Sequence, residues 1–134
     1  MRYFHNFYAI VQCNSHLGLT LGFDFGAEQA AKGSRDYHTW IAPIAIAKYQ
    51  INSSVALGLR AEYYQDKSGV IITTDFPGGF QTWGASGNLD VALTKHLLCR
   101  LEYRLLSSKE ALYISNGKPG KQNQMIALAF AANF

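Results

Sequence analysis

The chain is poor in charge and lacks any long apolar run. Asp, Glu, Lys and Arg make up 16% of its 134 residues, whereas soluble domains carry roughly 25%. No stretch approaches the about 20 apolar residues that a membrane-spanning helix requires. The chain is nevertheless 49% hydrophobic and 13% aromatic. These apolar residues alternate with polar ones instead of clustering, which is typical of β-strands.

Cysteine and strong net charge are also scarce. Cys13 and Cys99 are the only cysteines, and they form neither a metal-binding spacing nor a disulfide framework. The net charge is +3, and the basic residues are dispersed along the chain. This pattern predicts no nucleic-acid partner. The length suffices for one domain, so we treat 1–134 as a single domain.

Seven stretches alternate between apolar and polar residues and are bounded by turn residues. Their predicted bounds are 2–13, 16–27, 37–50, 54–66, 79–93, 96–107 and 122–134. The connections alternate between tight turns, at 14–15, 52–53 and 94–95, and long segments, at 28–36, 67–78 and 108–121. Short turns at one end and long loops at the other indicate an all-β, antiparallel transmembrane barrel of the outer-membrane type.

The distribution of charge suggests which face of the strands meets water. The seven lysines fall in loops or at strand ends, whereas a water-facing sheet spreads lysine along its strands. The polar positions within the strands carry mixed charges that can pair across strands in a confined, wet lumen. The predicted lumen-lining residues are Asp24, Arg60, Glu62, Asn88, Asp90, Arg100, Glu102 and Arg104.

The opposite face of the strands is apolar and would meet lipid. Aromatic residues gather toward the long-loop ends and predict one aromatic girdle at the membrane interface. The residues of this predicted girdle are Tyr37, Trp40, Tyr63, Tyr64, Phe80, Trp83 and Tyr103.

The last stretch predicts a strand that continues to the final residue. Every second residue back from the end is apolar: Phe134, Ala132, Phe130, Leu128 and Ile126. It resembles the closing strand of a bacterial outer-membrane barrel, in which a terminal Phe is read by the barrel-insertion machinery. That machinery and outer-membrane lipid are the partners this resemblance implies.

The strand count and the N-terminus lead to a further expectation. Residues 1–8 are amphipathic and do not form the apolar segment of a signal peptide. Bacterial single-chain barrels have an even number of strands, whereas seven are predicted here. We therefore expect the chain to be the C-terminal fragment of a longer barrel. Alone, its open edges would favour aggregation or a homo-oligomer.

Several segments together resemble the OmpL-like porins, which are outer-membrane β-barrels of Gram-negative bacteria. These segments are Leu21–Gly26, Ala47–Asn52, Leu59–Asp66 with Gly69–Ile71, Arg100–Arg104, and the terminal Phe134. The resemblance covers most of the chain and matches the C-terminal part of a family member. It implies a barrel in the cell outer membrane that conducts small solutes.

The leading interpretation is a porin for passive diffusion of small polar solutes, with no enzymatic activity, cofactor or metal. Two alternatives remain open: a structural or interaction barrel without an open pore, and a soluble lipocalin-like carrier of an apolar ligand. The Arg60/Glu62 and Arg100/Glu102 pairs would line the solute path or tie neighbouring strands together. Asp66 and Asp75 could hold a cation between loops, although acidic loop residues are more often simply hydrated.

Overall fold

The computed structural model describes residues 1–115 and 117–134, and it is an antiparallel all-β structure. Its strands are β1 (Arg2–Gln12), β2 (Leu17–Gln29), β3 (Tyr37–Gln50), β4 (Val55–Asp66), β5 (Phe80–Thr94), β6 (Leu97–Ser108), β7 (Tyr113–Ser115), β8 (Lys118–Gly120) and β9 (Gln122–Ala132). The seven long strands form one sheet in the order β1-β2-β3-β4-β5-β6-β9. The predicted antiparallel all-β class is therefore confirmed.

No helix within the described part of the chain is long and apolar enough to cross a membrane.

The predicted tight turns lie at one end of the sheet, which we call the short-turn end. Asn14 Oδ1 accepts hydrogen bonds from the backbone N–H groups of His16, at 2.9 Å, and Leu17, at 3.0 Å. Asn52 Oδ1 accepts equivalent bonds from Ser54, at 2.9 Å, and Val55, at 3.0 Å. An Asn side chain that replaces backbone acceptors closes a turn locally. The long connections 30–36, 67–79 and 109–121 lie at the opposite, long-loop end.

Two predictions about the end of the chain need correction. β9 ends at Ala132 and not at Phe134, because Ala132 pairs with Leu97, the first residue of β6. Asn133 instead donates its N–H to the carbonyl of His96 in the turn, at 3.1 Å. The segment predicted as one long loop also contains the small β7–β8 hairpin. The Asn-Gly dipeptide at 116–117 of the sequence is a hairpin signal that could have indicated it.

The sheet has two free edges, β1 and β9. Six successive antiparallel pairings join the strands, so β1 and β9 run in the same direction. Both strands are solvent-exposed along almost their whole length. The sheet is therefore an open wall in this chain.

Pro43 interrupts the pairing of β3 with β4. Ile41 pairs with Gln65 and Ile44 with Glu62, but the residues between them are unpaired. Proline has no N–H to donate, so it removes ladder hydrogen bonds within a sheet. The register is the same on both sides, because Pro43 opens the ladder without inserting a residue.

Candidate functional site

The eight residues predicted to line a lumen lie on one face of the sheet, which we call the charged face. Residues paired across strands share a face, and Asn88 pairs with Glu102 while Asp90 pairs with Arg100. The strand registers also place Asp24, Arg60, Glu62 and Arg104 on this face. These eight side chains therefore share one face of the sheet.

The first ionic cluster joins β4 to β6 across β5. Arg60 Nε donates to Glu62 Oε2 at 3.1 Å along β4, and the Arg60 Nη2 contacts the same oxygen. Arg104 Nη2 on β6 donates to Glu62 Oε1. The Glu62 side chain lies over Gly84 of β5, where an added Cβ would lie 2.5 Å from Glu62 Oε1. Two guanidinium groups share one carboxylate, so the cluster carries one surplus positive charge.

A second ionic cluster joins β5 to β6. Arg100 donates from Nε to Asp90 Oδ1 and from Nη2 to Asp90 Oδ2, both at 2.7 Å. Asn88 Nδ2 also donates to Asp90 Oδ1 at 2.7 Å. The sequence pattern suggested Arg100 with Glu102, but Arg100 pairs with Asp90. Asp90 lies directly opposite Arg100 in the register, and a bidentate fork satisfies both carboxylate oxygens.

The groove beside the first ionic cluster is lined by both polar and apolar side chains. It has a volume of about 340 Å³, and Asp24, Arg60 and Glu62 line it together with Ile44 and Ile72. Asp24 itself accepts a hydrogen bond from Asn6 on β1. The groove therefore places three charged side chains next to an aliphatic surface.

Part of the charged face is apolar, contrary to the expectation of a uniformly polar face. Phe4, Tyr8 and Ile10 on β1 lie on the same side as Asp24, because Asn6 pairs with Asp24. All three are exposed in this chain. β1 therefore carries large apolar side chains on both of its faces.

The opposite face of the sheet is apolar and exposed, and we call it the apolar face. On β4, the charged-face residues Ala56 and Gly58 are buried, whereas Leu57 and Leu59 between them are exposed. On β6 and β9 the same face exposes Leu101, Leu128 and Phe130. Water-soluble sheets bury this kind of surface, so the burial pattern is the reverse of that in a soluble β-domain.

The predicted aromatic girdle is only partly on the apolar face. Tyr63 and Trp83 pack against each other there with ring centroids 4.5 Å apart and planes tilted by 33°, and the strand registers put Tyr37 and Tyr103 on this face too. Trp40, Tyr64 and Phe80 lie on the charged face instead. Clustering by position along the chain predicted these three wrongly, because neighbouring strand residues point to opposite faces.

The long-loop end of the charged face is covered by two connections. The Asp66 carboxylate accepts backbone hydrogen bonds from Val70, Ile71 and Ile72. From the β7–β8 hairpin, the Tyr113 hydroxyl hydrogen-bonds Thr82 Oγ1 at 2.8 Å. The hypothesis of a cation at Asp66 is not supported, because backbone donors occupy its oxygens.

Among residues 1–115 and 117–134, no three His, Cys, Asp or Glu side chains converge as a metal site would require. Cys13 and Cys99 are free thiols.

Comparison with known proteins identifies the family. The model described as "Putative beta-barrel porin-2, OmpL-like" matches residues 1–134, the whole chain. No curated protein and no solved structure matches the chain. The family agrees with the resemblance carried by the strand motifs and with the exposed apolar face. The chain belongs to the OmpL-like family of β-barrel porins.

Proposed function

We propose that this chain forms the wall of an outer-membrane porin through which small polar solutes diffuse passively. The observation that carries the proposal is the burial pattern of the central strands β4 and β5, in which the apolar face is the more exposed one and the charged face the more buried one. Transmembrane barrels have this arrangement, with lipid outside and a polar interior. The charged face, Asp24, Arg60, Glu62, Asn88, Asp90, Arg100, Glu102 and Arg104, would then line the lumen.

The geometry argues against a soluble carrier. A lipocalin-like barrel encloses its apolar side chains and shows polar ones to water. Here Leu59 and Leu101 are 54% and 50% exposed, while Asp90 is 7% exposed. Burying this apolar face in lipid would stabilise the protein by about 25 cal/mol per Å² of apolar surface.

The open edges require a partner in the membrane. Unpaired N–H and C=O groups of β1 and β9 are not tolerated in hydrocarbon. Strands from a longer chain or from a second copy would complete the wall. Because β1 and β9 run in the same direction, an odd number of added strands would close the barrel with antiparallel pairs throughout.

A structural barrel without an open pore is the second candidate. Ion pairs on the charged face favour this candidate, since Glu62 and Asp90 are both paired with arginines. Side chains that pair in this way can fill the interior of a barrel. Conductance separates the two candidates. A porin gives stepwise current in planar bilayers, whereas a filled barrel gives no current even when it has inserted into the bilayer.

Fractionation of the native source tests the membrane assignment. We expect an antibody against residues 122–134 to detect an outer-membrane band whose migration on a gel changes with heating. A band much larger than 14.9 kDa would identify a longer barrel, on which conductance should then be measured. A band of 14.9 kDa that is soluble without detergent would overturn the proposal.

A further inference from the structure

The connection between β4 and β5, residues 67–79, bends over the charged face. Its Ile72 side chain lines the groove of about 340 Å³ together with Asp24, Arg60 and Glu62. These three residues belong to the strands, whereas Ile72 belongs to the loop. The loop therefore places an aliphatic side chain over the ionic positions of the wall.

Asp66 holds the loop in this position. It is the last residue of β4 and is fully buried, with a relative exposure of 0%. Its Oδ1 accepts the N–H of Val70 at 3.0 Å, and its Oδ2 accepts those of Ile71 at 2.7 Å and Ile72 at 3.0 Å. Hydrogen bonds to an ionised acceptor are roughly twice as strong as neutral ones. The three donors come from one short segment, so the carboxylate ties that segment to the end of β4.

Gly79 and the β7–β8 hairpin support the same arrangement. Gly79 has φ +63°, and a Cβ there would overlap the carbonyl oxygens of Asp66 and Lys67, so the return to β5 requires glycine. The Tyr113 hydroxyl bonds Thr82, which lines the same groove as Ile72. Two connections thus converge on one place at the long-loop end.

We infer that the 67–79 loop narrows the pore and sets the upper size limit for its solutes. Asp66 is the positioning residue, and Ile72 is the side chain that occupies the path. The inference rests on the proposed porin function. It predicts that the permeating class is restricted to small, narrow polar molecules.

Solute-size measurements on the reconstituted full protein test the inference. We would compare Asp66→Asn, which weakens the carboxylate anchor, with Asp75→Asn, which removes the same charge from an exposed position in the same loop. Liposome swelling with sugars of increasing mass should show an upward shift of the size limit for Asp66→Asn only. Equal limits in both variants and the parent would overturn the inference.

Substitutions at Ile72 test the solute size limit while the Asp66 carboxylate still holds the loop. Ile72→Ala should shift the size limit upward, and Ile72→Trp should shift it downward. These variants address the case in which Asp66→Asn fails to fold. A limit that does not respond to either substitution would contradict the role of Ile72.

A distance measurement tests the position of the loop independently of solute passage through the pore. Spin labels on Thr73→Cys and Ser53→Cys, in a Cys13→Ser/Cys99→Ser background, report the distance from the loop to the short-turn end. We expect a narrow distribution in the parent and a broad one in Asp66→Asn. Absence of swelling in all proteins would refute the pore itself, and an unchanged distribution would refute the anchoring role of Asp66.

Discussion

Arg100 on β6 and Asp90 on β5 stand directly opposite each other and form a two-pronged ion pair, with both N–O distances at 2.7 Å. The Asp90 side chain is 10% exposed and the Arg100 side chain 47% exposed. The pair therefore lies at the boundary between the sheet surface and the space above it. The register of β5 and β6 therefore determines how these two charges pair on the face that the strands share.

A double-mutant cycle should detect coupling between these two residues. We expect Asp90→Asn and Arg100→Gln to be coupled by about 0.5–3 kcal/mol of unfolding free energy, as is usual for residues in direct contact. Urea unfolding of the reconstituted protein measures this coupling. The more exposed Arg2–Glu28 pair, 2.5 Å apart, is the control and should give about 0.2–1 kcal/mol. Additive effects at Asp90 and Arg100 would contradict the prediction.

Glu62→Gln should shift the ion selectivity of the pore toward anions. The substitution removes the carboxylate shared by Arg60 and Arg104 and leaves both positive charges uncompensated. The reversal potential of the bilayer current under a KCl gradient measures the shift. Glu28→Gln removes the same charge from a more exposed ion pair, where solvent and salt screen it, so its shift should be smaller. A shift toward cations in Glu62→Gln would be inconsistent with these residues lining the path.

Adjacent positions on β9 test which face meets lipid. Leu128 lies on the apolar face opposite Leu101, whereas Ala127 lies on the charged face opposite Glu102. Leu128→Arg should destabilise the folded protein by about 2–4 kcal/mol if it lies near the bilayer midplane. Ala127→Arg should cost far less, because its guanidinium can pair with Glu102. Folding titrations in lipid vesicles compare the two, and the opposite order would reverse the assignment of the faces.

Gly26→Ala should weaken the long-loop end of the sheet. Trp40 is 5% exposed and packs over Gly26, so a Cβ at Gly26 would overlap the indole ring. Overpacking of this kind typically costs about 1–3 kcal/mol. Gly87→Ala is the control, since its Cβ would meet Leu59 at an ordinary 3.5 Å. Thermal unfolding monitored by Trp fluorescence should show a loss of stability for Gly26→Ala alone.

The sequence by itself determined the seven long strands and the alternation of their side chains between two faces. Alternation with period two specifies which residues share a face, because successive side chains in a strand point to opposite sides. Asn14 and Asn52 mark two of the tight turns through bonds that lie within a few residues. The family followed from motifs spread along the whole chain. All these features depend on the order of residues within short segments, which can be read directly from the sequence.

The tertiary structure alone decided which charged residues meet. Glu62 meets Arg104 across an intervening strand because Gly84 leaves room for the Glu62 side chain. Arg100 takes Asp90 as its partner because the register sets the two side chains opposite each other. The position of Ile72 likewise depends on how Asp66 gathers backbone donors from the loop. These contacts depend on register and on space between strands, which become defined only when distant segments of the chain are brought together.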